Sequence, residues 1–77
     1  MKTKGVDMKT LELTSFDDEQ LILIIELTDD EYAHVSHGGF YEFEYARNLI
    51  EKRLQMVILG RFNLIAVTSD GSRKELH

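Results

Sequence analysis

The 77 residues are 43% hydrophobic and 30% charged, with a formal net charge of −5 and no cysteine, proline or tryptophan. That bounds the chain to one domain of folded, globular composition. It excludes a disulfide framework, a thiolate zinc site and thiol catalysis.

A domain of this size buries roughly 60% of its unfolded surface, so a second copy or another partner commonly adds to its stability. The longest apolar run, residues 21–25, falls far short of the ~20 residues that cross a bilayer. Residues 1–5 lead into no apolar stretch of secretory type, and a cytoplasmic setting is expected, with no membrane partner. Charge is uneven: residues 1–45 hold three lysines against eleven acids, and residues 46–77 hold six basic residues against three acids.

Residues 1–8 read as a lead-in, 9–72 as a single α+β domain and 73–77 as a frayed tail. Met8-Lys9-Thr10 repeats Met1-Lys2-Thr3, so translation from either methionine is open. Residues 10–16 alternate apolar and polar, as a half-buried strand does. Residues 17–20 are a polar turn. Residues 21–27 are apolar and rich in β-branched side chains, which predicts a strand buried on both faces and a β-hairpin with the strand before it. A helix starting at Ser15 is the rival reading.

Thr28-Asp29-Asp30-Glu31 is a capping box, with the three acids at the positive end of a helix dipole. It predicts a short helix over residues 29–36, closed by Gly38 and Gly39. The main helix is predicted over residues 40–54, with Phe43, Ala46, Ile50, Leu54 and Val57 on the inner face and Arg47–Glu51 as an i, i+4 pair. Met56, Val57, Ile58 and Leu59 either continue that helix to a Gly60 cap, the favoured reading, or form a strand. Residues 62–68 are the last strand, and Ser69-Asp70-Gly71-Ser72 is a turn. The expected architecture is therefore β-β-α-α-β, with a three-stranded, mainly antiparallel sheet on one main helix.

Motifs for chemistry are sparse. His34 and His37 stand at i, i+3, but two histidines lack the ligand count of a metal site, so neither metal nor cofactor is expected. The acidic clusters at 17–19 and 29–31 have turn and capping roles and no nucleophile or base beside them. The chain is expected not to be an enzyme.

Two features point to binding. Tyr41 and Tyr45, at i, i+4, lie off the predicted core face, and exposed tyrosines favour protein interfaces. Glu42 and Glu44 interleave them, which repels phosphate and counts against a base-stacking platform. Ile22 and Ile24 face away from the main helix, as Ile65 and Val67 do. Leaving 150 Å² of such surface wet costs about 4 kcal/mol, so the short helix, a second copy or a foreign protein should cover it. The expectation is a small acidic adaptor or inhibitor that binds itself, as a homodimer, and an unidentified protein. The alternative is a nucleic-acid-associated regulator using Arg47, Lys52, Arg53, Arg61, Arg73 and Lys74.

Overall fold

The computed structural model describes residues 8–36 and 40–76. Strand β1 (Lys9–Ser15) and strand β2 (Leu21–Leu27) form the expected hairpin. Its turn is closed by Ser15 N–H donating to Gln20 O at 2.8 Å and Glu19 N–H donating to Ser15 O at 2.9 Å. Helix α1 (Asp29–Val35) starts at the capping box: Glu31 N–H donates to Thr28 Oγ1 at 3.1 Å, and Thr28 N–H to Glu31 Oε1 at 2.9 Å. Gly38 and Gly39, the expected stop, lie outside the described residues. Helix α2 (Phe40–Leu54) is followed by strand β3 (Phe62–Thr68) and strand β4 (Arg73–Leu76).

The four strands are antiparallel in the order β2-β1-β3-β4. Three strands were expected; the fourth forms from residues read as a frayed tail. Thr68 N–H donates to Ser72 O and Gly71 N–H to Thr68 O, both at 3.0 Å. Asp70 accepts from Ser72 N–H at 3.0 Å. The turn thereby folds Arg73–Leu76 back on β3, and Leu76 pairs with Leu64 and is buried.

Both helices cover one face of the sheet. Val35 of α1 and Ala46 and Ile50 of α2 pack with Leu11, Leu13, Ile25, Leu27, Leu64, Ala66 and Leu76. Strand β1 is central: Leu11 stands between Ile25 and Ala66, and Leu13 between Leu23 and Leu64. The prediction of β2 as a strand buried on both faces needs correction, because β2 is a sheet edge with one open face. Continuous apolar sequence is normally the mark of a doubly covered strand, and here both helices fall on the same side.

The favoured helix through Met56–Leu59 does not form either. Gln55 takes a left-handed conformation, φ 53°, and Met56 N–H donates to Glu51 O at 3.0 Å. This is the 6→1 bond of a Schellman stop. The Glu51 carboxylate then accepts from Ile58 N–H at 2.9 Å, which holds its pKa below the ordinary carboxylate range. Met56 and Ile58 pack on the core, while Val57 and Leu59 face out, as does Leu54. Gln55→Gly should stabilise the fold by about 0.5–1 kcal/mol, because glycine pays no left-handed penalty. A denaturant midpoint that does not rise would refute this account of the helix stop.

Candidate interaction surface

Alternation sends Leu23, Ile25 and Leu27 to the core and Ile24 and Glu26 to the open face. The register slips between β1 and β2: Leu13 pairs with Leu23, but Thr14 pairs with Leu21. One extra residue on β2 makes a bulge, so Leu21 joins Ile22 on the exposed side. Leu21, Ile22 and Ile24 are 53%, 58% and 48% exposed. The short helix does not cover them; it packs against β1, β2 and α2 from the core side.

The rest of the open face is better shielded. Ile65 and Val67 are half-buried. Arg73 of β4 reaches across β3 to Glu12 of β1, with contacts of 2.9 and 3.3 Å. Thr14 Oγ1 is buried there without a hydrogen-bond partner among the described residues. It borders a shallow hollow of about 320 Å³ whose rim includes Asn63, Arg73 and Glu75.

The two tyrosines part company. Tyr41 is 83% exposed. Tyr45 is half-buried against the core and stacks on His34, with ring centroids 4.8 Å apart at 17°. His34 is also tied to its own helix, Nδ1 lying 2.8 Å from Asp30 O. His37 lies outside the described residues, and no three histidine or acidic side chains gather as metal ligands among those described.

Three of the six basic residues, Arg47, Arg53 and Arg73, are engaged by acids. Arg47 meets Glu44 at 3.3 Å and Glu51 at 3.4 Å. Arg53 meets Glu31 at 2.6 Å and also donates to Glu26 O. The Thr28 amide, and after it the Arg53 guanidinium, hold the Glu31 carboxyl below its ordinary range. Arg61 lies over the Phe16 ring, 5.1 Å from its centroid. Lys52 is exposed on α2.

A second hollow, of about 420 Å³, opens beside Phe16, Phe43, Ile58, Arg61 and Phe62. Sequence reasoning missed it. The signal was the exposed Phe16 one residue past β1, whose last residue, Ser15, pairs with Phe62. No described helix is long and apolar enough to cross a membrane. The chain matches no protein-family model, no curated protein and no solved structure.

Proposed function

We propose that the chain is a small, non-enzymatic protein-interaction domain of adaptor or inhibitor type, working in the cytoplasm as a homodimer. The observation that carries this is the cluster of Leu21, Ile22 and Ile24, exposed together beside the sheet edge. Contiguous apolar surface of this kind marks an interaction site in a folded protein. Residues 21–25 carry no charge, so the apolar cluster itself brings no like charges together when two copies meet. Tyr41, on another element, is the proposed contact for a foreign protein.

Protein is favoured over nucleic acid as the partner because Arg47, Arg53 and Arg73 already sit on carboxylates. A phosphate-binding surface needs cations free to replace counterions.

Sedimentation from micromolar to millimolar protein tests the reading. The mass should rise toward that of a dimer, and Ile22→Lys with Ile24→Lys should return it to a monomer. Tyr41→Ala should leave it unchanged. A wild-type monomer throughout, or a dimer indifferent to the lysines, would overturn the assignment.

A further inference from the structure

The same strand that offers its side chains also offers its backbone, and the structure treats the two differently. Among the described residues, strand β2 is hydrogen-bonded to a neighbouring strand on one side only. Ser15 N–H donates toward β2, to Gln20 O, so the odd-numbered residues of β1 direct their backbone groups to β2. Leu11–Ile25 and Leu13–Leu23 are then the bonded pairs, and the N–H and C=O of Ile24 and Glu26 point away from the sheet. An apolar edge with free outward groups is a template for strand addition.

Two features blunt it. At one end, the extra residue at Leu21 and Ile22 breaks the regular spacing a new strand would need. At the other end, Arg53 reaches from α2 and donates through Nη1 to the outward carbonyl of Glu26. Its Nη2 is held by Glu31 Oε2 at 2.6 Å, and Glu31 is itself fixed by the Thr28 amide. Among the described residues, Ile24 keeps both of its outward backbone groups open and Glu26 only its N–H. An incoming second copy laid antiparallel in register about Ile25 pairs Ile24 with Glu26, and would have to place its Ile24 N–H on the Glu26 carbonyl that Arg53 occupies.

We propose that Arg53 is an edge guard: it occupies the Glu26 carbonyl, so that copies of this chain meet only through the side chains of Leu21, Ile22 and Ile24 and do not grow by strand addition along β2. The proposal deepens the self-association reading by saying how assembly at that surface is stopped. It rests on the backbone geometry, so it survives or fails separately from the dimer. The second copy is the occupant because residues 21–25 are uncharged and apolar on both sides of Leu23, and a β2 strand laid antiparallel on another meets no like charge there.

The test compares wild type, Arg53→Met and Lys52→Met at equal concentration, by sedimentation and by infrared absorption of the amide band. Methionine keeps an unbranched apolar stem and removes the donor; Lys52→Met controls for added apolar surface on the same helix. Arg53→Met should sediment at twice the wild-type mass or more and gain intermolecular strand signal. Lys52→Met should match wild type. Adding Ile24→Pro to Arg53→Met removes the outward N–H at a site where an edge strand tolerates proline, and should bring the mass back down. Arg53→Met with wild-type mass would overturn the guard, and so would assembly that persists with proline at position 24. If wild type is a monomer and Arg53→Met still assembles, the guard stands and the homodimer falls. Denaturant melts of each variant separate assembly of folded protein from aggregation of unfolded chain; an Arg53→Met that assembles only as unfolded chain would also overturn the guard.

Discussion

Leu11→Ala should cost about 3 kcal/mol, within the range for a buried leucine cut to alanine. Leu11 is fully buried at the centre of the central strand, with Ile25 on one side and Ala66 on the other. Strands fix both neighbours, so the cavity has little freedom to collapse. For a domain this small, total stability is roughly 4–12 kcal/mol at the usual value per residue. The substitution should lower the melting temperature by about 12–24 °C. Leu59→Ala, at a side chain 83% exposed, should stay within about 0.5 kcal/mol of wild type. Equal effects at the two leucines would mean that the packing has been assigned to the wrong face.

Deleting residues 73–77 should be as damaging, at about 3 kcal/mol or more. Leu76 is buried against Leu64, and losing it alone costs about 2–3 kcal/mol as a leucine-to-alanine change. The deletion also strips β3 of a hydrogen-bonded neighbour and leaves Glu12 without Arg73. Leu76→Ala in the full chain isolates the first contribution. A frayed tail would be dispensable, so a truncated chain that melts with the full one would remove β4 from the sheet.

Much of the local structure was legible in the residues. The capping box at Thr28 and Glu31, the hairpin turn after Ser15, the amphipathic run through Ala46 and Ile50, and the Arg47–Glu51 pair all rest on neighbours within a turn or two. Their physics is local, and the structure has them in place. Met56–Leu59 misled because its apolar content suits a helix, a strand or an irregular segment alternately seated on the core. Glu51 decided among these by capturing the Ile58 amide, seven residues on. The tail misled because Arg73-Lys74-Glu75 looks solvated. Three exposed residues conceal the one that matters, Leu76, which is buried only because β3 is there to receive it.

The candidate surface divides in the same way. Sequence alone marked Ile22 and Ile24 as pointing away from the main helix, because strand side chains alternate with a period of two. It marked Tyr41 and Tyr45 as one stripe, because helical neighbours stand four apart. Whether a face is covered is not a property of the segment that carries it. The sheet order put β2 at an edge, both helices chose the same side, and His34 came across to stack on Tyr45 while Tyr41 stayed exposed. The reach of Arg53 from α2 to Glu26, 27 residues away, belongs to that tertiary level too. Local hydrogen bonding and side-chain periodicity determined the elements of this protein. Long-range packing, whose partners lie far apart in the chain, decided which of their faces are left for another molecule.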